Sequence, residues 1–193
     1  MGRPRIHDQN TAHELLCAAE AIAAADGPDA VTVRRVADVA GVSVRAVYSL
    51  YGSKDALLAA LGTRAFKLLG AGVRAVPETT DHAADLVEAG VAVFRRFAVE
   101  HPSLFRLGVQ RHGIAPEVVE RFVPEAEAAL VDLRTRVIRA VGPDKHAATL
   151  QFHALCEGLA AVELSGMLPA EGAEQVWRDA LGALVTGLGA QRP

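Results

Sequence analysis

The chain has little of what staples, anchors or charges a protein from outside its own core. It has two cysteines in 193 residues, Cys17 and Cys156, each within a stretch of helical pattern. Two such thiols make no disulfide framework, and free buried thiols are the expectation. No apolar run approaches the roughly 20 residues that cross a bilayer. The opening MGRPRIHDQN lacks the apolar stretch of a signal peptide. These absences read as a cytoplasmic protein with no membrane partner. Positive charge is not in excess: the net charge is −3. That excludes a protein that coats nucleic acid by bulk charge, so any such binding must come from a local patch. Catalytic signatures are missing as well. There is no Ser–His–Asp order, glycine-rich phosphate loop or paired-carboxylate motif, and Glu117, Glu120, Glu125 and Glu127 read as a solvated helix face. His153 and Glu157 share a helix face, but no third ligand has metal-site spacing, and a His–Glu hydrogen bond within the helix suits them better. No metal, no other cofactor and no enzyme activity are expected.

What is present is apolar and helical. Apolar residues make up 51% of the chain, enough for a globular protein of one or two small domains. Strand-like alternation and repeats are absent, so the fold class is all-α.

The most specific stretch runs from Thr32 to Asp55, TVRRVADVAGVSVRAVYSLYGSKD. Thr32 suits a helix N-cap. Val33, Val36, Ala37 and Ala40 then recur at helical spacing, and Gly41 falls where a helix end favours a left-handed residue. Ser43 caps a second helix, in which Val47 and Tyr51 face inward and Val44, Arg45, Ala46 and Tyr48 face out. Gly52 ends that helix. Ser53 caps the next one, which carries Leu57, Leu58 and Leu61. Such a pair is either a helical hairpin of an all-α core or a helix-turn-helix. Charge favours the second: from Thr32 to Lys54 the bases Arg34, Arg35, Arg45 and Lys54 stand against one acid, Asp38, making that stretch +3. Bases of this kind hold phosphates, while base-edge contacts choose sequence.

Ala37, Ala40-Gly41-Val42-Ser43, Val47-Tyr48, Tyr51 and Ser53-Lys54-Asp55-Ala56-Leu57-Leu58 together resemble the DNA-binding domain of TetR/AcrR-type transcriptional regulators. The resemblance implies an N-terminal three-helix domain, residues 1–63, with its helix-turn-helix at about 32–51. A helical ligand-binding and dimerisation domain, residues 64–193, would follow, the two joined within the fourth helix near Arg64. It implies that Thr32 and Arg34 face phosphates or bases, that Ser43, Val44, Arg45, Ala46, Tyr48 and Ser49 lie at the groove, and that Lys54 holds a phosphate. Leu50 stands where the family often has His or Tyr. Arg45 replaces a commonly small residue, and it can read guanine or hold a phosphate. The basic start carrying Arg3 and Arg5 is either an arm along the minor groove or a free tail.

Helical patterning gives a first helix over Asp8 to Asp26 and a fourth from Lys54 toward Val76, where Gly62, Gly70 and Gly72 invite fraying. Another helix spans Asp81 to Glu100, and a short segment after it is capped by Ser103. A long helix runs from Pro116 to Val141 with a break at Pro124, and one more ends near Gly166. The last starts at Pro169, with a frayed tail from Gly187. The stretches His101 to Leu107, HPSLFRL, and Gly158 to Pro169, GLAAVELSGMLP, resemble the ligand-binding half of one TetR subgroup, which tends to carry His-Gly where this chain has Glu157-Gly158. That resemblance implies a central cavity and a homodimer through the last two long helices. Small residues over Ala154 to Val162 and Ala180 to Leu188 suit close packing, either between subunits or within one. Phe94, Phe97, Phe105 and Phe122 are core residues or pocket walls. Arg96, Arg106, His112, His153 and Glu157 are candidates for half-buried polar positions. The function implied is a ligand-responsive regulator of double-stranded DNA: a repressor released from a palindromic operator by a small hydrophobic effector. The alternative is control by a protein partner or by oxidation at Cys156.

Overall fold

The computed structural model describes residues 5–143, 146–169 and 171–190. The structure is 81% helical, with no strand among those residues, as the periodicity requires. Helix α1 is Arg5–Asp26, α2 Val33–Ala40, α3 Val44–Tyr51 and α4 Lys54–Ala75. Helix α5 covers 82–100 and passes through a π-helical stretch, Ala89–Arg95. Helix α6 covers 102–109, ending in a second π stretch, Phe105–Val109. Helix α7 covers 116–141, with a 3-10 turn, Glu120–Phe122, ahead of Pro124. Helix α8 is His146–Leu164 and α9 is Ala173–Ala190.

The chain forms two compact units. The first contains 1–65 and 103–123; the second contains 66–102 and 124–193. In the first unit Leu15, Ile22, Val36, Val47, Leu57, Leu61, Phe105 and Phe122 are buried. Glycine shapes this core by what it lacks. A Cβ on Gly62 would collide with the Phe122 ring, so the glycine lets α4 lie against that ring. In the second unit Leu86, Phe94, Phe97, Val137, Phe152, Trp177, Leu181 and Val185 are buried. Gly90 leaves the room that Leu181 of α9 and Phe152 of α8 fill.

Several expectations change. The glycines of α4 do not fray it, because Gly62 and Gly72 are close-approach points, the latter against Val93. Ser103 caps nothing: it lies inside α6 and is buried. The last helix begins at Ala173, after a turn that ends at Gly172 with φ of 89°. It stays regular to Ala190, with Leu188 buried. Cys17 is exposed, while Cys156 is buried. Helix α4 is long and apolar enough to cross a bilayer by length and composition, with mean hydropathy 1.4 over its best window. More than half of that window (56%) is buried inside the protein, which is the pattern of a core helix.

Candidate DNA interface and inner cavity

The first unit builds the helix-turn-helix from four local devices. Thr32 Oγ1 accepts from the Arg35 backbone N–H at 3.2 Å and starts α2. Gly41 takes the left-handed conformation, φ 67°, that ends it. Ser43 Oγ accepts from Ala46 N–H at 3.2 Å and starts α3. Ser53 Oγ accepts from Ala56 N–H at 3.0 Å at the start of α4. Each cap satisfies a backbone donor that a helix start leaves open.

Helix α3 then divides sharply. Val47 is 1% exposed and locks it to the core, whereas Val44 is 39% and Tyr48 54% exposed. Arg45 and Ser49 are exposed and Ala46 and Leu50 half-buried. Tyr51 ties α3 to α1: its hydroxyl donates to the Ala12 carbonyl at 2.8 Å. Burial pushes the Tyr51 hydroxyl's pKa up, against the lowering influence of Arg64, so it remains a donor. Around this face Thr32, Arg34 and Ser43 are exposed. Arg34 and Arg45 have no ion-pair partner among the described residues, whereas Arg35 pairs with Asp26. Lys54 is half-buried, and its ammonium donates to the Asp29 carbonyl at 3.2 Å. Arg3 lies outside the described residues, as does the side chain of Arg5.

The second unit holds an apolar cavity of about 50 Å³. Its walls come from α4 (Phe66, Leu69), α5 (Val93, Phe94), α7 (Ala129, Leu133) and α8 (Phe152, His153, Cys156). Two of the sequence candidates, Phe94 and His153, thus meet at one site, and their rings pack edge to face at 5.6 Å between centroids. Phe97 is buried away from the cavity lining. Phe105 and Phe122 belong to the core of the first unit. Glu157 stands 3.9 Å from His153 Nε2. That is ion-pair range and too long for the hydrogen bond expected from their spacing. Arg96, Arg106 and His112 are exposed. Cys156 is sealed inside, and burial pushes its thiol pKa far up, so it is no thiolate nucleophile. Among the described residues no group of three His, Cys, Asp or Glu side chains could hold a metal.

The polar groups missed in the sequence lie in this unit. Arg95 donates twice to Glu163, at 2.8 and 3.1 Å, and Trp177 Nε1 donates to the same carboxylate at 2.8 Å. Arg178 bridges Glu88 and Glu174. Arg136 is buried and donates to the Val76 carbonyl. Asp85, also buried, accepts from the Thr79 backbone N–H at 2.7 Å and the Thr79 hydroxyl at 2.8 Å. The backbone bond chiefly holds its pKa below the usual carboxylate value, with burial opposing.

The profile for bacterial regulatory proteins of the tetR family matches residues 15–61. That for the tetracyclin repressor-like C-terminal domain matches residues 87–184. Solved structures of the same fold include the TetR family transcriptional regulator PfmR from Thermus thermophilus, 22% identical over 92% of this chain and 99% of that one, with a TM-score of 0.66. Salmonella enterica GusR is 21% identical over 94% and 96%, with a TM-score of 0.74. A tetR-family regulator from Streptomyces coelicolor is 23% identical over 100% and 92%, with a TM-score of 0.70. No curated protein matches the sequence. Fold and exposed helix together define a class, the helix-turn-helix DNA-binding transcriptional regulators. Within it, this chain belongs to the TetR family.

Proposed function

We propose that the protein is a homodimeric cytoplasmic repressor that leaves a palindromic operator when a small hydrophobic effector enters the cavity of its second unit. Residues 1–63 read DNA, and residues 64–193 sense the effector and dimerise. One observation carries the reading: α3 buries Val47 completely while Val44, Arg45 and Tyr48 on its other side stand open. A helix of that kind can lie in a major groove without unfolding anything. Arg34 and Arg45 are available to phosphates or base edges, with Thr32, Ser43, Ala46 and Ser49 beside them. Lys54 exchanges the Asp29 carbonyl for a phosphate when DNA binds. Arg3 and Arg5 follow the minor groove.

Dimerisation through α8 and α9 is supported by the exposed small residues Ala154 and Gly158 on α8 and Ala183 and Gly187 on α9. No atom beyond the immediate backbone lies within 4 Å of a Cβ built on Gly158 or Gly187, so a partner helix could approach closely there. The stretches HPSLFRL and GLAAVELSGMLP favour the subgroup to which they are similar, while Glu157-Gly158 departs from its His-Gly pair. An effector shifts the balance only if it binds the non-reading geometry better.

The test is selection of bound duplex from a random pool with the full-length protein. A palindrome with half-sites about one helical turn apart is expected. Retention of no duplex at low salt would remove the reading.

A further inference from the structure

We infer that the cavity of the second unit takes a small, uncharged apolar molecule carrying one hydrogen-bonding group, seated with that group at His153. This deepens the effector reading above and rests on it.

The walls leave little choice of chemistry. Four helices supply hydrocarbon, and the polar lining groups are one imidazole and one thiol. No Asp, Glu, Lys or Arg lines the space. Three ion pairs of this unit lie away from the lining: Arg74 with Asp132, Arg95 with Glu163, and Arg178 with Glu88. A carboxylate or ammonium ligand would therefore give up its water and find no counter-charge. An anion reaching His153 would also meet Glu157, whose carboxylate stands 3.9 Å from Nε2. The imidazole itself offers a donor or an acceptor to a neutral partner, and its packing on Phe94 fixes the ring plane.

Size narrows the class further. The cavity is about 50 Å³, against the roughly 150 Å³ of a dry cavity that admits benzene. A single-ring molecule must push the walls apart, and a long acyl chain or fused-ring ligand would require a far larger displacement. The wall that yields is the π turn Ala89–Arg95, which holds Ala89, Val93 and Phe94 against the cavity. A π turn inside an α-helix is a rare local geometry and is often found at functional sites.

Calorimetric titration of the full-length protein with toluene, benzyl alcohol, benzoate and benzylammonium tests the class at near-constant size. Toluene and benzyl alcohol are expected to bind, the alcohol about tenfold tighter, and the two ions at least a hundredfold more weakly. His153→Phe should remove the tenfold advantage of the alcohol and leave toluene within about threefold. Ala129→Leu should fill the cavity and abolish both. Equal binding of the ions, silence of all four probes, or an unchanged preference in His153→Phe overturns the inference. Operator release is read in parallel. If benzoate binds tightly and frees the DNA, this class falls and the effector reading stands. If neutral probes bind as expected and DNA affinity never changes, the class stands and the effector reading falls.

Discussion

Arg45 and Val47 sit two residues apart in α3, and one is exposed while the other is sealed. Losing the first therefore leaves the fold alone. Arg45→Ala is expected to lower operator affinity about tenfold, within the 1–3 kcal/mol of a good base contact. Electrophoretic titration at several salt concentrations assigns the role: an unchanged slope marks a base contact, and a slope smaller by about one marks a phosphate. Glu163 is the opposite kind of position. It accepts three charge-assisted or indole hydrogen bonds from Arg95 and Trp177. Glu163→Ala should cost roughly 2–3 kcal/mol in urea unfolding. That cluster was not legible in the sequence, because Arg95 and Glu163 are far apart in the chain and each alone looks like a solvated helix charge. Asp85 carries a pH signature. Its folded pKa is depressed, chiefly by the Thr79 N–H, so its contribution is present above the unfolded value of about 4 and is lost as pH falls through the folded value. Stability measured from pH 7 downward should fall more steeply in the wild type than in Asp85→Asn.

At the scale of elements, the boundaries that one residue's chemistry decides were readable. Thr32, Ser43 and Ser53 each accept the N–H three residues on, and Gly41 adopts positive φ, as their side chains dictate. Boundaries set by packing were not. Pro169 looks like a good first residue of α9, yet Glu171 and Gly172 lie in a turn and the helix starts at Ala173. The π stretches of α5 and α6 leave no mark in composition, since a wide turn adds a residue without changing which types face inward. Nor does sequence tell a weak helix glycine from a packing one. Replacing a helix-interior glycine with alanine usually gains about 0.5–1 kcal/mol. At Gly62 the new methyl would meet the Phe122 ring, so Gly62→Ala should instead cost about 1–3 kcal/mol by overpacking, seen as a lowered urea midpoint.

For the whole molecule, the open glycines of α8 and α9 make the proposed dimer testable. Gly158 is exposed and its Cβ direction is empty, so a large side chain there is tolerated by an isolated protomer and blocks a partner. Gly158→Leu is expected to keep its helical circular dichroism, to elute as a monomer in light-scattering chromatography, and to lose most of its affinity for the paired half-sites.

The backbone passes between the two units three times, after residues 65, 102 and 123. The N-terminal reading portion is thus no detachable module hung on one leash. A stretch borrowed from later in the sequence, carrying most of α6 and the first turns of α7, completes its interior and supplies the Phe122 ring that Gly62 makes room for. Severing the polypeptide after residue 65 would leave a fragment with an unfilled hollow, prone to aggregate and poor at gripping a duplex. The apolar cavity belongs to a unit joined to that reading portion by three covalent threads.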